Sequence, residues 1–161
     1  FSNWNGKAGN SGTSLFLGLT GKGLVRFSDD FRSEAEIDRP GEAFVVAAST
    51  GLEGIRILHN GLLIGSRPSA LSPRKLDGSY VIGQQGNIDG EYWTGDLAEL
   101  LIYDRQLSET ELRAVSGVLG GKYSIAISKE NRPGGERTPE FLSLASVCHV
   151  LLNTNEFLHV D

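Results

Sequence analysis

The chain has 161 residues, 39% hydrophobic and 22% charged, enough for one buried core and too apolar for a disordered segment. A net charge of −5 and a pI near 5.2 supply no basic face to release counterions from phosphates, which excludes nucleic acid as the main partner. No apolar run approaches the ~20 residues of a membrane span, so no membrane insertion is expected. The 21 glycines favour short strands joined by tight turns over a helix bundle. A single cysteine, Cys148, leaves no internal disulfide or redox pair. The sequence opens at Phe1 and holds no methionine, so it reads as a piece of a longer protein.

Short apolar runs bounded by turn residues predict strands at 13–18, 23–28, 43–49, 55–58, 62–65, 80–83 and 97–103. Leu24, Arg26 and Ser28 alternate with Val25 and Phe27, the period of a half-exposed strand, whereas the 43–49 run suits a strand buried on both faces. Asn60-Gly61 separates two of these runs, and both residue types tolerate the positive φ that a two-residue hairpin demands. Further on, Ser108 and Glu111 have the spacing of a capping box, with Leu107 and Leu112 placed as a hydrophobic staple. Leu112, Val115 and Leu119 make the apolar stripe of a short helix, with Gly120-Gly121 as its stop. Beyond Tyr123 the character changes: 129–137 is charged and carries Pro133-Gly134-Gly135. Thr138-Pro139-Glu140 then starts a second helix. From Phe141 to Leu152 that helix is apolar on nearly every side, so it calls for neighbours outside this chain. The predicted organisation is a partial β-sandwich over 1–126, a linker over 127–138, and a helix and tail of a neighbouring helical domain over 139–161.

Three stretches resemble the C-terminal half of laminin-G-like jelly-roll domains, in the concanavalin A-like group. They are Gly78-Ser-Tyr-Val-Ile-Gly83, Trp93-Thr-Gly-Asp-Leu-Ala-Glu-Leu-Leu-Ile-Tyr-Asp104 and Leu107-Ser-Glu-Thr-Glu111 with its helix running to Gly121-Lys-Tyr123. The upstream His59-Asn60-Gly61 is similar to that family's Asn-Gly hairpin. The resemblance covers about Gly12 to Tyr123 and implies an all-β, antiparallel sandwich of jelly-roll type, N-terminally truncated, with a short helix and a C-terminal apolar helix. The tail from Leu142 to Asp161 is similar to the extreme C-terminus of large planctomycete proteins that carry a cytochrome-c-type domain. That second resemblance implies export to the cell envelope, by association.

The best candidate site is the loop Gln84-Gln-Gly-Asn-Ile-Asp-Gly-Glu-Tyr-Trp93. Amides and carboxylates take sugar hydroxyls in pairs, and an aromatic ring covers the C–H face of a pyranose. Gln85, Asn87, Asp89, Tyr92 and Trp93 are therefore the candidate carbohydrate ligands, and the loop's oxygens also suit Ca²⁺. Against this stands ordinary loop composition, and Trp93 matches a family aromatic that packs into the sandwich. Trp4 with Asn3 and Asn5 forms a second polar-aromatic cluster, better read as a core residue and its flanks. Glu99 and Asp104 are expected to satisfy backbone or cap groups.

Glu36-Ile-Asp38-Arg-Pro-Gly-Glu42 superficially fits the E-x-D-x-x-x-E pattern of jelly-roll glycanases, but Pro40-Gly41 breaks the strand that would hold the acids ~5–5.5 Å apart. It reads as a solvated acidic turn. His59, His149 and His159 lack metal-ligand spacing, and Cys148 reads as a buried small hydrophobe. The expectation is a non-catalytic recognition module for carbohydrate within a larger exported protein. A structural module packing on the parent's helical domain is the alternative, and a jelly-roll glycoside hydrolase a distant third. Its partner is a carbohydrate or another domain of the same parent.

Overall fold

The structure is a computed structural model and describes residues 1–4, 14–28, 30–37, 41–74, 76, 78–85 and 89–128. In chain order these form β1 (Ser2–Trp4), β2 (Ser14–Leu19), β3 (Leu24–Phe27), β4 (Phe31–Glu36), β5 (Val46–Gly51), β6 (Gly54–His59), β7 (Leu62–Arg67), β8 (Tyr80–Val81) and α1 (Glu109–Tyr123). The strands make two antiparallel sheets, a five-stranded one ordered β4-β3-β2-β1-β8 and a three-stranded one ordered β5-β6-β7. Among the described residues the fold is thus mostly β, with one short helix. Of the predicted linker over 127–138, all but Ile127 and Ser128 lies outside the described residues, as does the apolar segment after it.

The two sheets face each other across a core of Val25 and Phe27 from β3, Ile55 and Ile57 from β6, Ile64 from β7, and Ile37 and Leu71 beside them. Burying each such side chain fully is worth roughly 1.5–3 kcal/mol, so this cluster drives the pairing of the sheets. The closest approach is at β4 and β7, where a Cβ on Gly65 would sit 3.0 Å from Ser33 Cα. A β-bulge helps to fill the gap. Ile57 pairs with Gly65 and Leu58 with Leu63, which leaves Ile64 as the extra residue, and its side chain enters the core.

β6 is buried on both faces. Ile55 and Ile57 point to the opposite sheet, while Leu58 meets Leu107 and Leu112 under α1. β5 packs on both faces, Phe44, Val46 and Ala48 toward the first cluster and Ala47 toward the second, but as the outer strand of its sheet, running from Val46 to Gly51, it is mostly half-buried instead of fully buried. Between β6 and β7 the predicted hairpin is present, with Asn60 at φ 47° and Gly61 at φ 79°.

The capping box at the start of α1 is complete: Ser108 Oγ accepts from Glu111 N–H, and the Glu111 carboxylate accepts from Ser108 N–H at 2.8 Å. Leu107 and Leu112 share one cluster, as a staple requires. The end of the helix corrects the sequence reading. Gly120-Gly121 does not stop it; the helix continues to Tyr123, and Ser124 takes the left-handed position at φ 57°. Gly120 serves a different need. The returning chain crosses so closely that a Cβ there would collide with the Ile127 side chain and lie 2.9 Å from Ile125 O.

Three further differences concern strands. β1 and β4 were not expected, because β1 is short and β4 (Phe-Arg-Ser-Glu-Ala-Glu) is a polar edge strand with Ser33 as its buried residue. Conversely, 97–103 forms no strand among the described residues. It has the length and apolar content of a strand, but a ladder needs a neighbour in register, and none of the described strands provides one.

Candidate functional site

The 83–93 segment folds back on itself as a rim hairpin. Trp93 N–H donates to Gly83 O at 2.8 Å, Gln85 N–H donates to Glu91 O at 3.3 Å, and Gln84 bridges Tyr92. Asp89 and Gly90 lie in a turn, with Gly90 at φ 87°, where a side chain would be strained. The same turn brings the Asp89 carboxylate to the Tyr92 hydroxyl, which donates a short hydrogen bond to Oδ1. That contact orients the Tyr92 ring while leaving it 60% exposed.

Trp93 is 43% exposed, so one part of the indole is open and another is held. The holding groups are Phe44, edge-on at a centroid distance of 6.4 Å, and Gly95, where a Cβ would lie 3.1 Å from the indole Nε1. Phe44 in turn meets His59 edge-on at 5.8 Å. The row His59–Phe44–Trp93 therefore links the tip of the β6–β7 hairpin to the rim hairpin. Such aromatic pairs add ~0.5–1.5 kcal/mol beyond their buried area, enough to fix the indole's tilt.

Of the candidate ligands, Asp89, Tyr92 and Trp93 stand together on this hairpin, Gln85 is half-buried on its other limb, and Asn87 lies outside the described residues. Phe44, absent from the sequence candidates, positions Trp93. Its apolar run carried no signal beyond strand packing. For calcium the described residues add no support. The rim offers Asp89, already engaged by Tyr92, and Glu91. Among the described residues no group of three or more His, Cys, Asp or Glu side chains converges.

The other candidates separate. Asn3 is fully buried and donates from Nδ2 to Gly78 O at 2.6 Å, so it faces no ligand. Trp4 contributes backbone to β1, and Asn5, Cys148, His149 and His159 lie outside the described residues. Glu36 ends β4, whereas Glu42 follows a turn at Gly41 and belongs to no strand; Asp38 lies outside the described residues. Glu99 bonds neither backbone nor a helix cap. Its Oε2 accepts from Lys122 Nζ at 3.1 Å and from Tyr123 Oη at 2.9 Å, tying the 97–103 run to the end of α1.

No family model and no curated protein matches this chain. One solved structure, the S-layer domain-containing protein (residues 221–444) from Clostridium thermocellum ATCC 27405, aligns at a TM-score of 0.44 and 17% identity. The alignment covers 72% of this chain and 61% of that one.

Proposed function

We propose that this chain is a non-catalytic recognition module that binds carbohydrate through the 83–93 hairpin. The observation that carries the reading is that Tyr92 and Trp93 are both exposed and both held, Tyr92 by Asp89 and Trp93 by Phe44. Rings fixed in this way lose little conformational freedom on stacking against a sugar's C–H face, and Gln85 and Asp89, one on each limb, offer polar groups to hydroxyls. The finer fold reading, a laminin-G-like jelly roll, and the setting, a larger exported protein, rest on the sequence resemblance alone. No bond-breaking step is part of the proposal, since Glu36 and Glu42 stand on different segments.

The test is a glycan array read with the wild-type chain, Trp93→Ala and Asp89→Ala, each first checked for an unchanged far-ultraviolet spectrum. Binding of one glycan class, lost in both variants, supports the reading. Absence of binding to every glycan, or binding indifferent to both substitutions, defeats it. A second reading, a structural module packing on a helical domain of a larger protein, draws support from Leu97 and Ile102, which are 54% and 63% exposed. It calls for an apolar helical partner and no sugar.

A further inference from the structure

The run Asp96–Tyr103 contains no turn, bend or helix, and from Ala98 onward its exposure alternates: Ala98, Leu100 and Ile102 are exposed, while Glu99, Leu101 and Tyr103 are half-buried. That is the two-residue period of an extended strand. Both ends and the middle are anchored. Trp93 meets Phe44 just before β5. At the far end Gln106 Nε2 donates to Gly54 O at 3.0 Å, and its Oε1 accepts from Glu53 N–H at 3.1 Å. Glu99 grips Lys122 and Tyr123 in between. The flanks of the run are thus fastened near the two ends of β5, at Phe44 before it and at Glu53–Gly54 after it. Among the described residues, however, no hydrogen bond reaches the backbone of Leu97, Ala98, Leu100, Leu101 or Ile102.

A preformed extended segment with idle amides and carbonyls is a template for another strand. Proteins usually blunt such a template with an outward Lys, a Pro or a bulge. The 97–102 run, Leu-Ala-Glu-Leu-Leu-Ile, has none of these, and its one charge, Glu99, is turned inward to Lys122. The flanks carry a sign. Asp96 and Asp104 are exposed at the two ends, whereas the nearby cations are already engaged, Arg105 by Glu111 at 2.8 Å and Lys122 by Glu99 at 3.1 Å.

We infer that the Leu97–Ile102 backbone is a docking edge for an extended peptide strand with apolar side chains in its middle and basic residues at its ends. Main-chain bonds to the run would supply affinity, and the alternating Leu100 and Ile102 would receive the strand's side chains. A second copy of this chain is the poorer occupant. Pairing two copies antiparallel about Leu100 would set Asp96 of one opposite Asp104 of the other, like charges across a strand pair. The inference stands apart from the sugar reading, because it uses neither the Tyr92 ring nor the Asp89 carboxylate.

The experiment titrates the whole chain with a capped peptide, Lys-Val-Thr-Val-Thr-Val-Lys, and with two relatives. One relative has Glu at both ends, and the other is N-methylated at alternate residues so that it cannot ladder. Binding of the first peptide, with both relatives weaker by about tenfold or more, is the expected result. Leu100→Pro should bring the same loss and Leu100→Ala a smaller one, with hydrogen exchange in α1 unchanged in both. No binding of the Lys-ended peptide, or binding undiminished by N-methylation, overturns the proposal. Equal affinity for the Glu-ended peptide overturns the choice of occupant, as does concentration-dependent self-association that Leu100→Pro abolishes.

Discussion

Asn60 and Val45 are joined twice: Asn60 Oδ1 accepts from Val45 N–H at 2.8 Å, and Asn60 N–H donates to Val45 O at 2.8 Å. A turn residue is thereby fastened to the entry of β5, two strands' width from the β7 it introduces. Its φ of 47° adds a second demand on the residue type. Asn60→Gly keeps the backbone freedom and loses only the side-chain bond, which should lower stability by about 1 kcal/mol. Asn60→Ala adds left-handed strain of ~1–2 kcal/mol and should be the worse of the two. Urea denaturation of both variants measures the ordering; an equal loss would mean that the φ demand is negligible here.

Glycines within one helix should respond with opposite signs to the same substitution. Gly117 and Gly121 have nothing within 4 Å of a built Cβ, so Ala at either should stabilise, by up to ~1 kcal/mol in the helix interior. At Gly120 the same methyl would strike Ile127 and the Ile125 carbonyl, and the crowding should cost about 1–3 kcal/mol. Thermal melts of the three single variants decide the matter.

Acid should weaken the start of α1. The hydrogen bond from Arg105, helped by those from Ser108, holds the Glu111 carboxyl down at about 2 from an ordinary 4.5. A lowered pKa means that the folded state favours the charged form, so the stabilisation is present above the ordinary value and fades as pH falls through it toward 2. With Arg105 open to water, solvent screening makes the effect a modest one. Asp30 adds in the same direction. Burial pushes its carboxyl up, but hydrogen bonds from Ser72 and the Arg74 guanidinium outweigh this and hold it low. Stability followed by urea between about pH 5 and pH 2 should fall, and Glu111→Gln should flatten part of that slope.

Glu99 is the tie between the 97–103 run and α1, so Glu99→Ala should loosen the run before anything else. Hydrogen exchange at Leu97–Tyr103 should quicken by roughly tenfold while β6 stays protected. Uniform quickening across both would mean that Glu99 supports the whole fold instead.

What the sequence disclosed was mostly what local chemistry decides. Asn60-Gly61 and the Ser108/Glu111 pair act over two or three residues, so their spacing alone identifies a hairpin and a cap. β4 escaped notice because an edge strand has one face in water, and Arg32, Glu34 and Glu36 mask the inward Ser33. The 97–103 run differs the other way: an apolar run of strand length is a property of one segment, pairing of two. At the rim the same division holds. Asp89, Tyr92 and Trp93 were legible because one hairpin contains them, but the ring that sets the indole's tilt, Phe44, comes from a distant strand entry.

After α1 the chain turns back, and Ser128 N–H donates to Asn60 O at 2.7 Å. This bond makes the β6–β7 turn a mooring point. Tension applied to the polypeptide downstream of Ser128 would load that turn first and reach the helix afterwards, so under a mechanical pull the fold should yield by peeling the turn, with α1 the later element to unwind.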